Sequence, residues 1–274
     1  MEPNIEVKMK VFVFQGGLGN QIFQYAYYKA MLQSNPHLRC LYPMAKSHNG
    51  FELSRWFDVT LNDASFFEKV MYEIARRLQG KRLIRWIRMI ADKDVDIADN
   101  KYFAVGYIQT KRFLQDDFIR FKDFELSTEN RAYCRLLETT DSIAIHVRRG
   151  DYLQEPYRDI YGGICTEEYY RKALDIIKSK YPNATYFIFS NDAEWVKANL
   201  KLDNAHYVDC NTGTNSPIDM FLMSKAKALI LANSTFSYWG AKLNKRGPLV
   251  IYPKKWINKP YEVPDIFAEE WIGI

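Results

Sequence analysis

The stretch SIAIHVRRGDY, residues 142–152, decides the fold. Ser142 to Val147 is a short apolar run, the pattern of a strand buried on both faces of a parallel sheet. It ends in two arginines, a glycine and an aspartate. Downstream the alternation continues. A helix is expected over 166–180, opened by Thr166 with Glu167 and Glu168 in its first turn. ATYFIFS (184–190) is the next strand, DAEWVKANL (192–200) a short helix and HYVD (206–209) a strand. SPIDMFLMSKAKA (216–228) reads as a helix with a Ser N-cap and Pro at its first position. LILAN (229–233) is a strand, STFSYWGAKLN (234–244) starts a helix, and PLVIYP (248–253) is a last strand. Strands alternating with helices predict a parallel sheet with right-handed crossovers, whose ligands bind beyond the carboxyl ends of the strands.

Upstream, KMKVFVF (8–14) reads as a strand, followed by Gly16, Gly17 and Gly19 and a helix over 20–34. Such a strand, glycine turn and helix usually holds an anion. Yet the first helical turn carries only amides, Asn20 and Gln21, without the Lys of a Walker loop. Residues 45–63 read as loop. Residues 64–90 read as a helix that becomes strongly basic, 91–101 as an acidic loop and 102–109 as a strand, with a helical pattern to about 138.

A chain of 274 residues with 47% hydrophobic content has room for two domains with real cores. The net charge of +5 suits an anionic small ligand or a membrane surface, and is too weak and scattered for nucleic acid. Cys40, Cys134, Cys165 and Cys210 are dispersed, so neither a zinc knuckle nor a redox pair is expected, and the thiols read as those of a reduced, cytoplasmic protein. No signal sequence and no membrane span is expected.

Three polar clusters fall at strand ends. In HVRRGDY, Arg148 and Arg149 point to different sides. One can fork onto a phosphate while the other pairs with Asp151. In FSNDAEW, Asp192 either caps the next helix or offers its carboxylate to two hydrogens of a guanine edge. In LANSTFSYWG, the hydroxyls of Ser234, Thr235 and Ser237 and the free N–H groups of a helix start form a phosphate seat, compatible with simple capping by Ser234 or Thr235.

GGLGNQIFQYA, HVRRGDY, FSND and MSKAKALILANSTFSYWGAKL, with VGYIQTKRF and EEYYRKAL between them, resemble the bacterial α1,2-fucosyltransferases in order and spacing. The resemblance covers nearly the whole chain, most firmly 11–30 and 105–252, and most weakly 60–101. It implies an α/β fold of the GT-B type, two Rossmann-like domains facing a cleft. It implies metal-independent, inverting transfer of L-fucose from GDP-β-L-fucose to a galactose 2-hydroxyl, with no cofactor beyond the donor. The acceptor domain is expected over 1–138 and the GDP-fucose domain over 139–255, with the tail 256–274 crossing back to the first. By the resemblance, His146 and Asp192 contact guanine and Arg148 the β-phosphate. The backbone of Gly17 and Gly19, the adjoining Asn20 and Gln21, and the stretch Ser234, Thr235, Phe236, Ser237 to Trp239 lie near the diphosphate. His146, Arg148 and Asp151 form the catalytic set and Arg149 assists. The partner is a galactose-terminated oligosaccharide of surface polysaccharide assembly, including a lipid-linked one.

The acceptor hydroxyl is a poor nucleophile and needs a carboxylate base unless the reaction is very dissociative. Asp151, Glu155, Asp58 and Glu52 are open alternatives, and Asp151 can instead orient an arginine. Two further signals compete. Asp92, Asp94 and Asp96 form overlapping D-x-D patterns that hold a metal in other glycosyltransferases, read here as a solvated loop. Residues 76–90 read as an amphipathic helix with arginines in water, or as a membrane-surface helix with Trp86 and Ile87 at the headgroups. No G-x-S-x-G or H-E-x-x-H motif is present.

Overall fold

The computed structural model describes residues 9–43, 48–78, 87–90 and 102–274. The chain divides into two compact units, Met1–Lys122 and Asp123–Ile274.

The first unit is built on β1 (Val11–Val13), α1 (Leu18–Ser34), β2 (Arg39–Leu41), the single turn α2 (Leu53–Trp56), α3 (Phe66–Leu78), β3 (Ile87–Met89) and β4 (Phe103–Val105). Its four strands are all parallel, in the order β2-β1-β4-β3. The alternation of β1 sorts its side chains. Phe12 and Phe14 meet Tyr27 and Tyr28 of α1, at 5.4 and 5.9 Å between ring centroids. Val11 and Val13 face a second core of Leu41, Tyr72, Phe103 and Val105.

The second unit contains α4 (Thr128–Thr139), β5 (Ser142–Val147), α5 (Tyr157–Tyr161), α6 (Glu167–Lys180), β6 (Thr185–Ser190), α7 (Ala193–Asn199), β7 (Ala205–Val208), α8 (Pro217–Met223), β8 (Ala228–Ile230), α9 (Thr235–Lys242), β9 (Leu249–Tyr252) and β10 (Ile272–Gly273). The sheet order is β10-β9-β8-β5-β6-β7, all parallel. Every residue of β5 is buried, the polar Ser142 and His146 included, as a central strand covered on both faces requires. Ile143, Ile145 and Val147 pack under Tyr170, Ala173 and Ile177 of α6. His146, one residue out of phase, faces the opposite side, its ring 5.8 Å from that of Phe236 on α9. Two units, each an all-parallel α/β sheet, are the GT-B-type architecture expected.

Several boundaries differ from the expectation. The first unit ends at Lys122, not near 138, because α4 belongs to the second, where Asn130 Nδ2 donates to Asn211 Oδ1 at 2.8 Å. The tail is built into the second unit. Ile272 pairs with Ile251, Phe267 stacks on Tyr252 at 3.9 Å, and Asn233 Nδ2 donates to the Trp256 carbonyl. The basic stretch is not one helix to residue 90. Helix α3 spans Phe66–Leu78, and Ile87–Met89 is a strand paired with β4. The cations Lys81, Arg82 and Arg85, Trp86 and the D-x-D run lie outside the described residues. Strands β2 and β10 and helix α5 were not anticipated, being too short to show a period. Helix α8 stops at Met223, five residues early, and β8 takes over at Ala228.

Candidate functional site

In the second sheet the strand order reverses once, at β5, and sequence motifs lie at that point. In the second unit β5 leads outward to β6 and β7, and β8 returns to its other side. A parallel sheet opens a crevice at the carboxyl ends of two such strands. Those ends are Arg148-Arg149-Gly150-Asp151 after β5 and Asn233-Ser234 after β8. Tyr152, in a 3₁₀ turn over Gly150–Leu153, ties them by donating to the Asn233 carbonyl at 3.1 Å.

The two arginines divide their work. Arg149 is consumed by the scaffold. Its backbone N–H donates to Asn191 Oδ1 at 2.9 Å, its Nε to Asp192 Oδ2 at 3.1 Å, and its guanidinium lies 4.0 Å over the Trp195 ring. Gly150 is needed beside it, because a Cβ there would stand 2.3 Å from Asn191 Nδ2. Arg148 turns the other way, over the Tyr152 ring at 5.5 Å, with one terminal nitrogen 2.8 Å from Asp151 Oδ2. Asp151 is therefore paired with an arginine. Arg148 Nε, Asp151 Oδ1 and His146 Nδ1 are buried and have no hydrogen-bond partner. Native proteins seldom leave such atoms unpaired, and three at the end of one strand mark a place where polar groups are presented rather than satisfied.

His146 is 5% exposed, and burial reinforced by Arg148 pushes its imidazole down to about 3. An imidazole held that low is neutral near pH 7 and offers a hydrogen bond. Asp192 caps α7 through Oδ1, which accepts from the Trp195 N–H at 3.1 Å, while Oδ2 takes Arg149. The capping reading of Asp192 is thus realised. Ser234 caps α9, accepting from the Phe236 N–H at 3.3 Å. Ser237 departs from the expectation of a phosphate-facing hydroxyl. It is fully buried and its single hydroxyl hydrogen is shared inward between the Ser234 and Ala232 carbonyls, at 3.1 and 3.3 Å. What α9 presents outward is Thr235, Phe236 and its first N–H groups.

In the first unit the two central strands, β1 and β4, run parallel side by side, with the glycine loop after one and Gly106-Tyr107-Ile108-Gln109 after the other. Gly16 holds φ at +76°, and a Cβ there would stand 3.1 Å from the Tyr107 ring. Gly17, the N-cap of α1, has an ordinary φ of −75°. Gly19 is buried in the first turn of α1. Asn20 accepts from Gln109 Nε2 at 3.0 Å, joining the two loops, and stays partly exposed. Gln21 does not face outward as a binding residue would. Its Nε2 donates to the Gly16 and Gly50 carbonyls, and its Oε1 accepts from the N–H groups of Glu52 and Leu53. A fully buried amide with both ends filled is a staple between two loops.

The four candidate bases now differ. Asp58 pairs with Arg120 at 2.7 Å, Asp151 with Arg148, and Glu155 with Arg158. Glu52 instead sits 5% exposed beside the glycine loop, accepts from Asn49 Nδ2 at 3.2 Å, and has its carboxyl raised by burial.

Asp219 escaped the sequence reading, since an acid in a first helical turn is commonplace. It lies in the first turn of α8, and Asn211, beyond the carboxyl end of β7, donates to its Oδ1 at 2.8 Å. Burial, with Asp209 adding to it, pushes its carboxyl up to about 8. The unfolded chain ionises this group near pH 4, so its cost to the fold grows as pH rises from there to about 8. Asp219→Asn is expected to stabilise the protein by about 2 kcal/mol at pH 8, with the gain vanishing near pH 4. Urea unfolding at both pH values measures it, and an equal effect at both refutes the protonated assignment.

Among the described residues no helix is long and apolar enough to cross a membrane. Comparison with known proteins agrees with the motif reading. The chain is 27% identical over 289 residues to an α-1,2-colitosyltransferase of Escherichia coli, an alignment spanning 94% of this chain and 96% of that protein. It is 37% identical over 144 residues to the O-antigen biosynthesis glycosyltransferase WbnK of Escherichia coli, covering 51% of this chain and 46% of the relative. It is 28% identical over 177 residues to the galactoside α-(1,2)-fucosyltransferase 2 of Rattus norvegicus, covering 60% and 48%. The glycosyl transferase family 11 signature matches residues 85–274, from β3 through the whole second sheet and its tail, and the chain belongs to that family of glycosyltransferases.

Proposed function

We propose that the chain moves L-fucose from GDP-β-L-fucose to the 2-hydroxyl of a galactose-terminated acceptor, with inversion and without a metal, in surface polysaccharide or O-antigen assembly. One observation carries the donor reading: Arg148 Nε and His146 Nδ1 are buried without partners where β5 meets β8, next to the start of α9. As the glycosidic bond breaks, negative charge grows on the departing diphosphate. A guanidinium with an idle N–H and helix N–H groups meet that charge without reorganising. Asp151 and Tyr152 hold Arg148 in place, while Arg149 and Asp192 lock its loop to β6. Asp192 retains lone pairs for a guanine edge. The first unit is assigned the acceptor and Glu52 the base, since a carboxyl raised by burial is the better proton acceptor near neutrality. Glu52→Gln is expected to lower kcat about 10²-fold with little change in donor KM. An unchanged kcat removes Glu52 from the reaction.

A second donor is favoured by the near-complete alignment with a colitosyltransferase. Colitose is fucose without its 3-hydroxyl. A site that hydrogen-bonds that hydroxyl rejects the deoxy sugar strongly, by about 10⁴-fold, whereas a site without that bond discriminates weakly. The test is incubation with GDP-fucose or GDP-colitose and a panel of β-galactosides in EDTA, followed by product mass and linkage. An α1,2-fucosyl product supports the first reading. Transfer of colitose alone installs the second, and activity only after added manganese overturns metal independence.

A further inference from the structure

Helix α3 turns an apolar stripe toward solvent. Phe66 is 78% exposed, Phe67 70% and Ile74 49%. Phe66, Val70, Ile74 and Leu78 follow one another at i+4, with Phe67 beside them, so all five share one side. The buried residues of the helix are Glu68, Tyr72 and Ala75 on the other side, and Glu73 at the edge of the stripe.

The helix start enforces this orientation. Ser65 and Glu68 form a capping box, with the Ser65 N–H 2.9 Å from Glu68 Oε2 and the Glu68 N–H 3.3 Å from Ser65 Oγ. Glu68 is further drawn to Arg39 at 2.6 Å and to the Tyr102 hydroxyl at 2.8 Å. With Glu68 held inside, the two residues before it must point away. Single exposed apolar side chains are ordinary, but a stripe headed by adjacent phenylalanines calls for a partner.

Charge identifies the partner. From Ala75 to Ile90 the sequence carries six cations, Arg76, Arg77, Lys81, Arg82, Arg85 and Arg88, and no acid. Arg76 is partly offset by Glu73 at 2.8 Å. Arg77 is exposed and lies on the same side of the helix as the stripe. An apolar stripe with Arg77 on its side, in a chain segment of cationic sequence, complements an anionic bilayer, whose headgroups take the charge and whose acyl boundary takes the rings. The earlier alternative that put Ile87 at the headgroups does not hold, since Ile87 packs on the sheet core.

We propose that α3 is a peripheral membrane contact, with Phe66, Phe67 and Ile74 entering the headgroup boundary of an anionic bilayer and Arg77 meeting the headgroup charge. The inference goes beyond the transferase reading and does not depend on the donor. The test is flotation of the full chain with phosphatidylcholine vesicles, with and without phosphatidylglycerol. Wild type is expected to float with the anionic vesicles and to be released by salt. Phe66→Ser/Phe67→Ser is expected to lose about tenfold or more in partitioning, and Arg77→Glu severalfold. An unchanged far-UV spectrum and thermal midpoint show that the double variant is folded. Equal flotation of wild type and double variant overturns the proposal, as does failure of wild type to float. A wild-type dimer that becomes monomeric in the double variant overturns it as well, assigning the stripe to a second copy. Transfer to a soluble β-galactoside is measured separately, so loss of one reading leaves the other standing.

Discussion

Arg148→Ala is expected to lower kcat/KM for transfer by about 10³-fold, or about 4 kcal/mol of transition-state stabilisation, comparable to losing a charge-stabilising donor in other enzymes. The reason is the contrast between the two arginines. Arg149 is bound to Asn191, Asp192 and Trp195, whereas Arg148 keeps its Nε–H unpaired beside a single ion pair. Arg148→Lys keeps the charge but not the planar fork, and should recover only a small part of the loss. The thermal midpoint should move by no more than a few degrees, because the ion pair with Asp151 is itself partly solvated. Near-normal kcat in the alanine variant would refute the donor site as drawn. A collapsed midpoint would instead make Arg148 a fold residue.

The second large effect is on stability in acid. His146 is held near 3 in the folded chain, while the unfolded chain binds its proton near 6.5. The unfolded state therefore carries the extra proton between those two values. The neutral imidazole's contribution is complete above about pH 6.5 and is lost as pH falls toward 3, at about 1.4 kcal/mol per pH unit. From pH 7 to pH 5 that amounts to about 2 kcal/mol from this residue. His146→Asn should remove this slope, so the wild-type and variant stabilities converge in acid even if the variant is weaker at pH 7. Parallel curves from pH 7 to pH 4 would show that His146 is not buried neutral. Asp219 has the opposite slope from about pH 4 to 8, so the two contributions offset each other between about pH 4 and 6.5, and replacing His146 isolates its share.

How much of this was legible depends on how far apart the partners lie. Buried parallel strands declare themselves in short apolar runs, as in SIAIHV and TYFIFS, because both faces must be dry. Polar residues that follow such runs sit at carboxyl ends, so HVRRGD, FSND and NSTF were placed at the ligand-binding edge by sequence alone. Three-residue strands such as Arg39–Leu41 show no period. The helix predicted through residue 90 failed because β3 is held by pairing with β4, a contact local propensity does not contain.

The alternation of apolar runs, the motifs at their ends and the family were thus determined by the sequence itself, because burial and strand direction are local properties of the chain. Tertiary structure alone decided which arginine stays idle, that Gln21 staples two loops, that the Ser237 hydroxyl points inward, and that Asp219 is held protonated. Each of those depends on groups brought together by folding: Arg149 meets Asp192, Gln21 meets Gly50 and Glu52, and Asp219 sinks beside Asn211. A polar side chain's role is set by which of its hydrogen-bonding atoms find partners, and the fold chooses those partners.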